Sequence, residues 1–145
     1  MIKNQKIINY VLIPVLFVTG IIYFVVANGE YEDFKELSEF RIMGELAEKQ
    51  IEMTFFVSVG IINFILGVWI LKSGITNTIP YIVVIMISTG LIIIYLASRT
   101  IGVPVIGVEY YIGRTDMISK IFQIIAVGLS AFSIYNIRHP NINIK

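Results

Sequence analysis

IPYIVVIMISTGLIIIYLA, residues Ile79–Ala97, contains no charged side chain. A helix needs roughly 20 predominantly apolar residues to cross the ~30 Å hydrocarbon core of a bilayer, so this stretch reads as a membrane span. Three further stretches of the same kind flank it, at Ile7–Ala27, Met53–Leu71 and Ile121–Ile137. Four of them in 145 residues leave little chain for a soluble domain. The expected fold is all-α, a four-transmembrane-helix bundle. Residues 1–145 then form a single integral membrane domain whose first partner is the lipid bilayer.

Composition points the same way. Hydrophobic residues make up 57% of the chain and charged ones 14%, against about 45–50% and 25% in soluble domains. A formal charge of +1 gives no basis for nucleic-acid binding. The chain has no cysteine, which removes disulfides, thiolate metal sites and thiol chemistry. Lys3 and Lys6 ahead of an apolar run, with Val25 and Ala27 at its end, would also suit a signal peptide. The run is long for that purpose, and retention as a membrane helix is expected.

The charges are segregated. Between the first two spans lie Glu30, Glu32, Asp33, Glu36, Glu39, Glu45, Glu48 and Glu52, opposed only by Lys35, Arg41 and Lys49. The N-tail, the short Lys72–Thr78 connection and the C-tail carry basic residues and no acids. The positive-inside tendency therefore makes both termini cytoplasmic in a multi-pass cell-membrane protein. Tyr31, Phe34, Leu37, Phe40, Ala47 and Ile51 recur at helical spacing among the acids. This pattern predicts an amphipathic acidic helix between helices 1 and 2, lying on the outer surface. Its end from about Glu45 could run directly into span two, and Glu45, Glu48 and Glu52 share one face as docking-helix acids.

Within the spans, polar and small residues form stripes. Gln123, Ala126, Ser130 and Ser133 follow steps of three and four on the last, and Gly60, Asn63 and Gly67 do so on the second. Membrane helices associate through close packing at small residues and hydrogen bonds between polar ones. These stripes thus predict the meeting faces, with Asn63 and Gln123 as interhelical polar contacts and natural partners. The brevity of the Lys72–Thr78 connection makes spans two and three antiparallel neighbours. Tyr10, Tyr23, Trp69, Tyr81 and Tyr95 fall near span ends, where aromatic rings favour the headgroup region.

The connection after span three, SRTIGVPVIGVEYYIGRTD (residues 98–116), is too apolar for a freely solvated loop. It is expected to fold over the outward end of the bundle or against a partner subunit. Arg99, close to the interface, would be stabilised there by bidentate pairing with Glu109 or Asp116. The run Ser98-Arg99-Thr100-x-Gly102-x-Pro104, followed by Glu109, Gly113 and Asp116, resembles a signature of uncharacterised small four-helix integral membrane proteins of bacteria and archaea. The resemblance covers about the last two-thirds of the chain. It implies a four-helix fold and a structural or partner-binding loop, and it implies no activity. Where members of that group often carry an acid, this chain has Gln123, so a charged site there does not carry over.

No reaction motif is present in the sequence. The single histidine, His139, sits in the polar tail; Met1, Met43, Met53, Met86 and Met117 do not cluster; no phosphate-cradling loop or HExxH occurs. Neither a metal nor a cofactor is expected, and the chain reads as no enzyme. The leading expectation is a non-catalytic helical subunit, an accessory or stabilising protein of a larger membrane complex. In general character the chain is similar to small helical accessory subunits of respiratory complexes or of the archaeal copper membrane monooxygenase that oxidises ammonia, by fold-level analogy alone. The alternatives are a self-associating pore or carrier, a homo-oligomer lined by the polar stripes, and a membrane sensor or chaperone with an acidic docking helix.

Overall fold

A computed structural model describes residues 2–40, 43–73, 76–102 and 113–139. They form four helices: α1 (Ile2–Phe40), α2 (Met43–Lys72), α3 (Ile79–Thr100) and α4 (Arg114–Arg138). All four are long and apolar enough to cross a membrane. Their ends follow local chemistry. Asn77 Oδ1 accepts the Ile79 N–H at 3.0 Å and Pro80 stands in the first turn of α3, where a missing donor costs nothing. Gly102 adopts φ 79°, and its N–H reaches the Ala97 carbonyl at 2.9 Å. That left-handed conformation closes a helix at little cost only for glycine. Glu45 and Asp116 lie in first turns, Lys72 and Arg138 in last turns, each complementing the helix dipole.

The acidic segment does not form a separate surface helix between α1 and α2. Residues 28–40 continue α1, and residues from Met43 onward open α2. Gly29 alone does not break α1. Good helix formers follow it, and Asn28 Nδ2 donates to Glu32 Oε1 one turn on, at 3.2 Å. The two acidic arms are joined at Lys49, whose Nζ lies 2.7 Å from Glu30 and 2.9 Å from Glu52. The acids thus lie on the two arms of one helical hairpin.

Packing around the bundle is uneven. α1 lies along α2 more extensively than any other pair, α4 packs on both α1 and α3, and α2 and α3 barely meet. The close seam is made by glycine. A Cβ at Gly20 would stand 2.7 Å from the Phe64 ring, one at Gly60 2.9 Å from Phe24, and one at Gly67 2.6 Å from Phe17. Each ring thus occupies the space a side chain would need. The rings also stack in sequence across the seam, Phe17 on Phe64 at 5.2 Å and Phe64 beside Phe24 at 5.8 Å. Between α2 and α3 stand instead Phe56, Val59, Ile87 and Leu91. Side chains of that size keep the helices apart, so the neighbours expected from a short connection touch only thinly.

Leu12, Leu16, Leu66, Ile70, Val84 and Ala126 bring all four helices into one apolar core. Polar residues are buried above and below it, among them Gln5, Thr19, Asn63 and Ser88. Thr19 and Asn63 bond carbonyls of their own helices, Val15 at 2.7 Å and Val59 at 2.9 Å. At the end holding the N-terminus, the Tyr81 hydroxyl donates to Asn9 Oδ1 at 2.8 Å and accepts from Gln5 Nε2 at 3.1 Å. Tyr81 is completely buried, and so, nearly, is Tyr23. Both rings turn into the bundle, whereas Tyr10 remains 76% exposed. Outside, Val25, Ile65, Met86, Ile93 and Ile124 are exposed. An apolar exterior around a partly polar interior suits lipid rather than water.

Gly20→Ala should therefore cost about 1–3 kcal/mol through overpacking against Phe64 and the Gly60 backbone. Gly128→Ala, whose methyl would meet nothing within 4 Å, should be neutral or slightly stabilising. Thermal unfolding in detergent separates them; equal melting temperatures would contradict the seam described here.

Candidate functional site

Toward the end of the bundle away from the N-terminus, the four helices surround a cavity of about 90 Å³. α1 contributes Tyr23, α2 Glu52 with Phe55 and Phe56, α3 Leu91, Ile94, Tyr95, Ser98 and Arg99, and α4 Asp116, Ser119 and Lys120. The cavity lies at the level where α2 and α3 are held apart. Phe55 and Ile94 both line it and are exposed on the outside of the bundle. The α2–α3 seam is therefore an apolar mouth opening sideways.

On the α3–α4 wall, Arg99 donates to Asp116 Oδ2 at 3.0 Å. The same carboxylate oxygen accepts the Gly113 N–H at 3.3 Å. Asp116 thus fastens the start of α4 to the end of α3, holding two groups at once. The Arg99 guanidinium lies 5.0 Å from the Tyr95 ring centre, and Lys120 Nζ lies 5.0 Å from the same ring. Both cations are placed where an aromatic quadrupole attracts them.

Lys120 also joins the buried core of the site. Its Nζ donates to Tyr23 Oη at 3.2 Å and to Gln123 Oε1 at 3.1 Å, while Gln123 Nε2 donates to the same Tyr23 oxygen. Gln123 is 1% exposed. These bonds tie α4 to α1. Across the cavity Glu52, 4% exposed, is held by Lys49, which it shares with Glu30. Asp33 lies 3.9 Å from the same ammonium. Several carboxylates therefore converge on one lysine.

The residues marked by the sequence fall as follows. Ser98, Arg99 and Asp116 line the cavity, while Thr100 is exposed and bonds the Leu96 carbonyl. Gly102 ends α3; Pro104 and Glu109 lie outside the described residues. The stripe Gln123, Ala126, Ser130 and Ser133 is buried, as are Gly60, Asn63 and Gly67. Gln123 and Asn63 do not bond each other, however. α2 and α4 are diagonal in the bundle, and Gln123 turns to Tyr23 while Asn63 serves its own helix. Glu45, Glu48 and Glu52 do not present one solvated face: Glu45 is exposed, Glu48 half-buried and Glu52 turned inward. Among the described residues, no group of three or more His, Asp or Glu is placed to hold a metal ion.

Tyr23 and Tyr95, marked by the sequence only as aromatics near span ends, complete the site together with Ser119 and Lys120, which the sequence reading did not place in a site. One signal was present: Lys120 and Gln123 are three apart, on one helical face at the opening of a span, where a charge needs a partner. No family model, curated protein or solved structure matches the chain.

Arg99→Ala removes the partner of a half-buried carboxylate and should lower stability by about 1–3 kcal/mol. Arg138→Ala, at the exposed end of α4, should change it much less. Melting temperatures in detergent check this; equal effects would mean that the Arg99–Asp116 contact contributes nothing.

Proposed function

We propose that the protein is a non-catalytic helical subunit of a larger membrane complex, and that the acidic end of the α1–α2 hairpin is its docking element. The observation carrying this reading is the reach of that hairpin. Tyr23 of α1 meets Gln123 of antiparallel α4, which places the start of α4, Arg114, near the level of residue 32. α1 continues to Phe40, about 12 Å further at 1.5 Å per residue. Its arms are clamped together through Lys49, and Glu32, Asp33, Glu36, Glu39 and Glu45 face outward.

An anchored, negatively charged projection of this kind suits a basic surface on a partner. Opposite charge steers encounter and fixes register more than it adds raw affinity. In this reading the four spans hold the projection at the membrane, with both termini on the cytoplasmic side and the hairpin outside. Glu52 has no part in docking, because it is buried against Lys49. A membrane-bound oxidase or monooxygenase is one kind of complex such a subunit would serve.

Native purification in mild detergent, followed by mass spectrometry, should recover stoichiometric larger membrane subunits. The combined charge reversal Glu36→Lys, Glu39→Lys and Glu45→Lys should remove them while leaving membrane insertion intact. A monomeric, unassociated protein in native membranes would overturn the proposal, and a homogeneous self-oligomer would favour a pore or carrier.

A further inference from the structure

We infer that the cavity between α2 and α3 binds the zwitterionic head of an amphiphile, with its anionic group on Lys120 and its ammonium on Glu52. The argument starts from Lys120. An ammonium has three donors; two are spent on the neutral oxygens of Tyr23 and Gln123. Among the described residues, no carboxylate lies within ion-pair distance of it. Asp116, the acid nearest in sequence, is engaged by Arg99 and the Gly113 N–H. A half-buried cation is stabilised by a partner of opposite charge, and the cavity that Lys120 lines is where such a partner has room.

The opposite wall carries the complementary imbalance. Glu30 and Glu52 share the single ammonium of Lys49, with Asp33 also near it. Of these carboxylates, Glu52 is the one that lines the cavity. Beside the mutually paired Arg99 and Asp116, the walls therefore present a cation on α4 and an acid on α2 across one cavity. A ligand bearing both signs satisfies both walls, whereas a simple anion would lie against Glu52 and a simple cation against Lys120.

Size and access favour a lipid as the bearer of that head. About 90 Å³ accommodates a small polar head and excludes a whole lipid. The mouth between Phe55 and Ile94 is apolar and faces the surroundings of the bundle, which provides a path for acyl chains to remain outside. A water-soluble zwitterion would have no use for such a lip.

The test is binding to purified protein in detergent, read by native mass spectrometry and by ligand-dependent thermal shift. The probes are phosphatidylethanolamine, phosphatidylglycerol, diacylglycerol and free phosphoethanolamine. Phosphatidylethanolamine should bind at least tenfold more tightly than the other three. Glu52→Gln and Lys120→Gln should each remove that preference, whereas Arg138→Gln should preserve it. Equal binding of phosphatidylglycerol or diacylglycerol would overturn the assignment of both walls. Binding of free phosphoethanolamine as tight as that of the lipid would overturn the lipid as its source. If a variant fails to fold, as judged by helicity and monodispersity, the preference of the unsubstituted protein among the four probes decides alone.

Discussion

The close approach of α1 to α2 at Gly20, Gly60 and Gly67 is the contact on which the remaining architecture depends. In water, an apolar helix face is driven onto its neighbour by the loss of hydration. Among lipid tails that drive is absent, and association must come from close packing and from hydrogen bonds. Three glycines that each admit a phenyl ring from the facing helix provide the first. Dispersion attraction falls off within an ångström of optimal contact, so this interlocked seam is tight where the α2–α3 seam, lined by large side chains, is not.

The difference between seams creates the site. α1 draws α2 to one side, the Tyr23–Gln123–Lys120 bonds draw α4 to the other, and α3 follows α4 through Arg99 and Asp116. What is left is a gap between α2 and α3, polar at its base and apolar at its lip. Polar groups there are not incidental to folding. The bonds of Gln123 and Lys120 to Tyr23 hold α4 on α1, and those of Lys49 hold the hairpin arms together. The same side chains thus build the bundle and shape the cavity, so substitutions at Tyr23 or Gln123 would affect both.

Much of the fold was legible because its signals are strong and local. Uninterrupted apolar runs give the four helices, and the Gln123–Ser133 stripe gives the buried face of α4. The pairing of Asn63 with Gln123 was not legible, since a stripe shows that a face is buried without saying which helix covers it. The acidic segment was misplaced for a related reason. Its periodicity fits an amphipathic helix equally well whether the apolar face meets lipid or a second helix, and here Phe34, Leu37 and Leu46 are half-buried along the hairpin. The site itself was half visible. Arg99 and Asp116 stand out as charges beside a span, but Tyr23 is just another aromatic near a span end until the bundle is assembled around it.

The central claim is that a small, polar helix face is sealed inside while the apolar surface meets lipid. The absence of cysteine makes a nitroxide scan along α4 in bilayers straightforward. Oxygen accessibility should be low at residues 123, 126, 130 and 133 and high at 121, 124 and 132, with helical periodicity. Uniform accessibility, or high values on the Gln123–Ser133 face, would contradict the account.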